Sequence, residues 1–185
     1  SEQNAVLQPH AINIRGSAHD RAIAIRDMVL AESSADRQKE AAAISALAAF
    51  YAQSAEPLKQ LVESSADAAA LRELNAGIQT IEAQAVQTTS AIMAQLEAGD
   101  PAGAKEQLWS KAKPQYVQWL AAINRLIDHE EVRIQAQNKT ALDGAKGFLA
   151  VMLVALCIAL VMALALAWSI SRNVVRRLGA EPAEL

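Results

Sequence analysis

The sequence predicts an all-α protein, an antiparallel up-down-up-down four-helix bundle that continues into a transmembrane helix. Alanine is the most frequent of the 185 residues, and the chain has only 7 Gly and 5 Pro, a composition that favours long helices over strands. Turn signals recur at intervals of roughly 30 residues, as between the helices of a bundle. An uncharged stretch near the C-terminus is long enough to cross a bilayer.

The turn signals divide residues 1–146 into four predicted helices. ESSAD occurs at 32–36 and again at 63–67, and each copy supplies a capping side chain before a new helical pattern. AGDP at 98–101 places its proline in the first turn of the last helix. The predicted helices cover residues 5–32, 36–63, 67–98 and 101–146, and their short connections predict antiparallel neighbours.

The uncharged stretch runs from Gly147 to Ser171. At about 1.5 Å per residue it exceeds the roughly 30 Å hydrocarbon core of a bilayer, so we predict a transmembrane helix at 147–171. Trp168 suits the membrane interface, and three arginines follow it at 172, 176 and 177. The positive-inside rule then predicts a cytoplasmic segment at 172–185 and places residues 1–146 on the other side of the membrane.

The composition argues against several classes of protein. One cysteine excludes a disulfide framework and a cysteine-based zinc site, and a net charge of -3 gives no reason to expect nucleic acid as a partner. DHEE at 128–131 has consecutive helical positions that point in different directions, so we expect a solvated helix face and no metal. No phosphate loop, nucleophile elbow or paired-carboxylate cleft is readable, so we expect no enzyme and no cofactor.

The first predicted helix has one apolar stripe for the bundle core, with basic residues beside it. On a helical wheel at about 100° per residue, Arg15, His19 and Arg26 lie within about 40° of one another next to this stripe. Asp20 and Asp27 lie about 100° or more from Arg15 and Arg26 on the same wheel, so we expect them to neutralise these arginines poorly. The core stripe comprises Ala11, Ile14, Ala18, Ala22, Ile25 and Val29.

A second apolar strip, Ile12 and Ile23, lies beyond the basic residues, and Arg21 flanks the core stripe on its opposite side. Cations between two apolar strips are poorly placed for solvation, so we expect another subunit to pack there and an anion to bind at the boundary. The alternative is that these residues are surface arginines whose stems cover apolar area, and that His19 is an ordinary surface histidine.

Residues at equal depth in antiparallel helices face each other, and this adds two aromatic candidates. The windows opposite the basic residues contain Tyr51 on the second helix and Tyr116 on the fourth. Each tyrosine is a candidate to line a small site and donate its hydroxyl to a carboxylate. The alternative for both is an ordinary core position.

Three segments together resemble a known family: HAINIRGSAHDRAIAIRD at 10–27, PQYVQWLAAINRLIDHEE at 114–131 and RNVVRRLGAEPAEL at 172–185. They resemble proteobacterial methyl-accepting chemotaxis receptors with an aspartate-receptor-type four-helix-bundle sensor domain. The resemblance covers the whole chain. LGAEP at 178–182 looks like the opening of a HAMP linker, a module that histidine kinases and cyclases share.

The resemblance implies a chemoreceptor in the inner membrane, with residues 1–146 as a periplasmic ligand-binding domain. In that family, arginines on the first helix bind ligand carboxylates across a dimer interface, and Arg15, Arg21 and Arg26 match in type and approximate position. Each interval between them is one residue wider than the family pattern. No acidic residue lies in the stripe to pair an amino group, so we expect an organic acid such as malate or citrate.

The resemblance further implies a homodimer that packs through the first helix, signalling by displacement of the fourth helix, and a downstream cytoplasmic domain with its kinase complex. Because the fourth helix is longer than the middle two, we expect the first to begin earlier, in a longer receptor with another membrane span. Two alternatives stay open. The same bundle can belong to a histidine kinase or nucleotide cyclase, or can be a structural or partner-binding module without a small ligand.

Overall fold

The computed structural model describes residues 2–65 and 68–178 and confirms the all-α fold, because this part of the chain is helical and contains no strand. Residues 66–67 of the second predicted turn and residues 179–185 of the HAMP-like segment lie outside the described residues. The helices are α1 (Glu2–Leu30), α2 (Ser34–Ser64), α3 (Ala68–Glu97), α4 (Pro101–Gln107) and α5 (Lys113–Leu178), with a π-helical turn (Leu108–Ala112) between the last two.

Two helix starts have the capping geometry that the turn signals predict. The Ser33 hydroxyl accepts a hydrogen bond from the backbone N–H of Asp36 at 3.0 Å. The Asp100 carboxylate accepts one from the backbone N–H of Gly103 at 2.9 Å, with Pro101 in the first turn. Each cap satisfies a backbone donor that has no partner inside its helix, and each therefore helps to determine where its helix begins.

The structure divides into two units, Ser1–Ile134 and Gln135–Leu185. In the first unit, α1 and α2 are antiparallel: Asn13 donates to the Ser54 hydroxyl at 3.3 Å, and Ser17 donates to the Leu47 carbonyl at 2.6 Å. Tyr116 on α5 contacts Thr89 on α3. Apolar side chains from every helix of the unit form a common core, including Ile14, Ala18, Ile25, Ile44, Leu58, Leu71, Ile78, Ile92, Leu108, Trp119, Ile123 and Leu126.

The predicted core stripe of the first helix is largely confirmed. Ala11, Ile14, Ala18 and Ile25 are each at most 1 % exposed, and Ala22 and Val29 are partly buried against the same core. Ile12 and Ile23, the second apolar strip, are 53 % and 37 % exposed. The wheel therefore distinguishes the two apolar sides of α1 correctly.

The fourth predicted helix contains a π-helical turn that periodicity did not indicate. At the end of this turn the N–H of Lys113 bonds to the carbonyl of Leu108, five residues back. The next residue after Lys113 is Pro114. In a regular α-helix, this proline has no N–H to donate to the carbonyl of Ser110, and its ring clashes with that carbonyl. The wider turn relieves this clash and sets the direction of the side chains from Leu108 to Ala112.

Residues 128–131 are not the uniformly solvated face that the sequence suggested. Asp128 and Glu131 are exposed, but Glu130 is fully buried, and its carboxylate pairs with Arg133 at 3.1 Å. Glu130 lies seven residues after Ile123 and therefore on the same buried side of the helix. Helical periodicity decides the burial of this residue despite its charge.

The second unit contains the apolar part of α5. Its large apolar side chains, from Phe148 to Val175, are exposed within the chain. Part of the helical stretch Pro101–Arg176 is long and apolar enough to cross a membrane. One window of this stretch has a mean hydropathy of 3.1, and no residue of that window is buried. By length and composition, this agrees with the predicted span at 147–171.

Candidate ligand-binding sites

The structure separates the predicted basic residues of α1 onto different sides of the helix. Arg15, His19 and Arg26 are exposed, whereas Arg21 is only 4 % exposed. Six residues separate Arg21 from Arg15, which is a rotation of roughly 120° between their directions. Arg21 therefore does not join the other basic residues.

The first site is a groove of about 300 Å³ between α1 and the start of α5, here called the α1/α5 groove. Most of its lining is apolar, and three basic residues, His19, Arg26 and Lys113, lie among the apolar ones. The full lining is His19, Ala22, Ile23, Ile25, Arg26, Leu108, Trp109, Lys113, Tyr116, Val117 and Leu120.

Two of these basic residues have partners in the structure. The Lys113 ammonium lies over the Trp109 ring, 4.6 Å from its centroid, in cation–π geometry. The Arg26 guanidinium pairs with Asp27 at 2.9 Å, although the wheel placed Asp27 about 100° away. The expectation of poor neutralisation is therefore wrong for Arg26, because its long side chain reaches its sequence neighbour. Both partners are about half exposed, so the pair is worth little, about 0–1 kcal/mol.

Arg15 lies outside the lining of the α1/α5 groove. Its Nε donates a hydrogen bond of 2.6 Å to the amide oxygen of Asn124 on α5. This bond joins the two helices that form the groove and uses a neutral acceptor, so it leaves the guanidinium charge uncompensated. In this structure Arg15 therefore connects α1 to α5.

Arg21 belongs to a buried aromatic cluster inside the first unit. Its guanidinium carbon lies 5.2 Å from the centroid of a Trp119 ring, within cation–π range. The rings of Tyr51 and Tyr116 are 5.2 and 5.6 Å from Trp119, and all three aromatic residues are buried. Sequence reasoning found both tyrosines and missed Trp119, although it lies three residues after Tyr116 on the same helix.

The hydroxyls of both tyrosines lie near polar side chains. Thr89 uses its one proton in a bond to the Ala85 carbonyl at 2.8 Å, so Tyr116 donates to Thr89 across the 3.0 Å between their oxygens. The Tyr51 hydroxyl lies near the carboxylate of Glu82 on α3. Burial raises the pKa of both tyrosines, so they remain neutral donors, and the nearby Glu82 charge adds to the rise for Tyr51.

The second site is a groove of about 480 Å³ between α2 and α3, here called the α2/α3 groove. It is lined by Arg21 and Tyr51 together with Glu56, Lys59 and Glu82. Burial raises the pKa of the Glu82 carboxyl, while the nearby Tyr51 hydroxyl and Arg21 charge act to lower it. The groove's other lining residues are Ala48, Ala52, Ala55, Gln79 and Val86.

The buried charge of Arg21 is incompletely satisfied. Within residues 7–65 and 68–176 it forms no ion pair with a carboxylate, and its Nε has no hydrogen-bond partner. A charge this buried is normally paired, because removal from water is costly.

Comparisons with protein-family profiles, with characterised proteins and with solved structures find no match to this chain. The chemistry of the two grooves is therefore the basis for assigning a function.

Proposed function

We propose that this chain is the sensor region of a transmembrane chemoreceptor that binds a small organic anion in the α1/α5 groove. The observation that carries the proposal is the presence of His19, Arg26 and Lys113 in one groove whose described lining contains no acidic residue. Arginine and lysine bind carboxylates through charge-assisted hydrogen bonds, and an apolar surround strengthens such bonds.

A C4-dicarboxylate such as malate, or citrate, suits this arrangement. One carboxylate pairs with Arg26 after displacing the weak contact to Asp27, and another lies near Lys113. Tyr116 contributes its ring rather than its hydroxyl, because the hydroxyl already bonds to Thr89. The carbon skeleton of the ligand packs against Ile23 and Val117.

The proposed signal is a small displacement of α5 relative to α1 when the anion binds. α5 is one helix from Lys113 to Leu178, so it carries both groove residues and the apolar span. A ligand produces such a movement only through different affinities for two conformations. Shifts of about 1–2 Å are typical of helices that transmit signals.

The proposed location is the inner membrane, with residues 1–146 periplasmic and the C-terminus cytoplasmic. The arginines at 172, 176 and 177 support this orientation. The exposed Ile12 and Ile23 support a homodimer that packs through α1. The cytoplasmic partner is a signalling domain with its kinase complex.

Titration calorimetry on the full chain in lipid nanodiscs, with malate, citrate and aspartate as ligands, tests the anion site. We expect malate or citrate to bind and Arg26→Ala to weaken that binding at least about tenfold, because a charge-assisted bond contributes about 1.5–3 kcal/mol. The matched control is Arg125→Ala, which removes an exposed arginine of α5 outside this groove.

Two results contradict the proposal. Unchanged affinity in the Arg26 variant, or an equal loss in the Arg125 control, excludes a specific role for the α1/α5 groove. Heat with aspartate alone contradicts the preference for an acid without an amino group.

A further inference from the structure

The α2/α3 groove has a cationic group and an anionic group that are not paired with each other. The Arg21 guanidinium is buried against Trp119, with an unpartnered Nε. Glu82 on the facing helix lies near Tyr51 and forms no ion pair with any residue in the described part of the chain. Since both groups line the same groove, a ligand that enters it meets both charges.

The two charges demand opposite groups from a ligand. A carboxylate complements Arg21, because a guanidinium offers parallel N–H donors to both carboxylate oxygens. A primary ammonium complements Glu82 and favours its ionised form, which burial opposes. A simple carboxylate satisfies Arg21 but meets repulsion from Glu82, and a simple amine has the reverse difficulty.

The groove also has room for such a ligand. Its volume is about 480 Å³, and three of its α2 residues, Ala48, Ala52 and Ala55, have side chains of a single methyl group. The Tyr51 hydroxyl lies near the Glu82 carboxylate and stays protonated, because burial raises its pKa. Both charged groups therefore border the space that such a ligand would fill.

We propose that the α2/α3 groove is a second ligand site, which binds a small zwitterion with its carboxylate on Arg21 and its ammonium on Glu82. This site is separate from the proposed anion site, since the described lining of the two grooves has no residue in common. It also differs in ligand chemistry, because the α1/α5 groove has no acidic lining residue for an ammonium.

The test uses four probes of equal carbon number: 2-aminobutyrate, 4-aminobutyrate, butyrate and butylamine. The protein is the full chain in nanodiscs with Trp109→Phe and Trp168→Phe, so that Trp119 beneath Arg21 is the only tryptophan. We expect at least one aminobutyrate to change the Trp119 fluorescence with saturation. Butyrate and butylamine are expected to bind at least tenfold more weakly than that zwitterion.

Variants locate the two contacts. Arg21→Met is expected to abolish the response, and Glu82→Gln is expected to reduce the affinity for the aminobutyrate to that for butyrate. Glu73→Gln is the matched control, because Glu73 is an exposed acid of α3 outside this groove. Circular dichroism verifies the helical content of each variant, and if Arg21→Met fails to fold, Glu82→Gln and the probe series decide alone.

Three results overturn this proposal. Equal affinity for butyrate and for both aminobutyrates removes the role of Glu82. No Trp119 response to any probe in a chain of normal helical content excludes the site. The third result is that Arg26→Ala abolishes aminobutyrate binding while Glu82→Gln leaves it intact. The aminobutyrate then binds in the α1/α5 groove, a result that contradicts the second site but not the anion-sensor proposal.

Discussion

Arg21 is the residue whose surroundings say most about this protein. Its side chain is buried beside Trp119, Tyr51 and Tyr116, yet it forms no ion pair within the described residues. Cation–π contact with Trp119 offsets part of the cost of burial, about 0.5–2 kcal/mol. The rest of the free-energy cost of burying Arg21 remains while this side chain has no carboxylate partner. A ligand carboxylate that pairs with Arg21 offsets this cost and therefore binds well.

Replacing Arg21 by methionine is therefore expected to stabilise the fold. Methionine fills similar space and removes an incompletely compensated buried charge, so the free energy of unfolding rises by about 1 kcal/mol. In a chain of this size the melting temperature rises by about 2–4 °C. Thermal denaturation followed by circular dichroism measures it, with Arg125→Met as the exposed control. A lower melting temperature for Arg21→Met contradicts this expectation, because the contacts of Arg21 then contribute more free energy than its burial costs.

Glu82 gives the stability a pH dependence whose sign follows from its raised pKa. Folding disfavours the ionised carboxylate, mainly through burial. Its contribution to stability is full below the unfolded-state pKa and is lost as the pH rises through the folded-state pKa. Glu82→Gln cannot ionise, so the variant is expected to match the natural chain near pH 4 and to melt at a higher temperature near pH 7.

Melting curves at both pH values check this expectation. Glu73→Gln serves as the control, because Glu73 is exposed. A Glu82→Gln variant that melts lower than the natural chain at neutral pH contradicts it, since ionised Glu82 then stabilises the fold.

At the scale of elements, the π-helical turn at Leu108–Ala112 determines the shape of the α1/α5 groove. A π-helical turn holds one more residue than an α-helical turn, so it rotates the preceding α4 by about 100° relative to α5. The turn carries Leu108 and Trp109 into the groove beside Lys113. Pro114 is the local cause of the wide turn. It does not line the groove itself, but through this turn it positions Leu108 and Trp109, which do.

Pro114→Ala is expected to regularise the turn and weaken the anion site. Alanine restores the N–H donor for the Ser110 carbonyl, and Trp109 then leaves its position beside Lys113. Calorimetry is expected to show at least a tenfold weaker affinity for malate, while circular dichroism shows unchanged helical content. Pro101→Ala is the matched control, since a proline in the first turn of α4 disturbs no helical hydrogen bond. Equal affinities in the two variants contradict a role for the π turn.

At the scale of the whole molecule, α5 contains residues of the α1/α5 groove and also a stretch that is long and apolar enough to cross a membrane. Lys113, Tyr116 and Val117 line the α1/α5 groove near the start of α5, and the apolar stretch lies later in the same helix. Asn124, which accepts from Arg15, lies between them in sequence. In the proposed receptor, anion binding in the α1/α5 groove acts on the part of α5 that precedes the apolar stretch in sequence.

The displacement of α5 is measurable with spin labels. Labels at the exposed positions Asp20 on α1 and Ala121 on α5, in a Cys157→Ala background, report the distance between these helices. We expect saturating malate to change this distance by about 1–2 Å in nanodiscs. Labels at Gln38 and Gln60, both on α2, are the control and should not move. An unchanged distance with malate bound refutes the proposed signalling step.

Much of the fold followed from sequence because it depends on local physics. Helix-forming composition, capping at Ser33 and Asp100 and the core stripe of α1 all act within a few residues, so a wheel and a turn pattern suffice. The burial of Glu130 was equally readable from periodicity and was missed because its charge suggested solvent. The uncharged stretch at 147–171 was evident from composition alone.

The placement of His19 and Arg26 in one groove and of Arg21 in another needed the tertiary structure. The sequence indicated that Arg15, His19, Arg21 and Arg26 lie on α1, and it separated Arg21 from the others by angle. It did not indicate that Arg21 lies against Trp119 or that Glu82 of α3 lines the same groove. Contacts between residues distant in sequence depend on how whole helices pack. The π-helical turn before Pro114 holds one extra residue, and this changes which side chains face the neighbouring helices. Local pattern therefore determined the helices, and helix packing decided which charges meet.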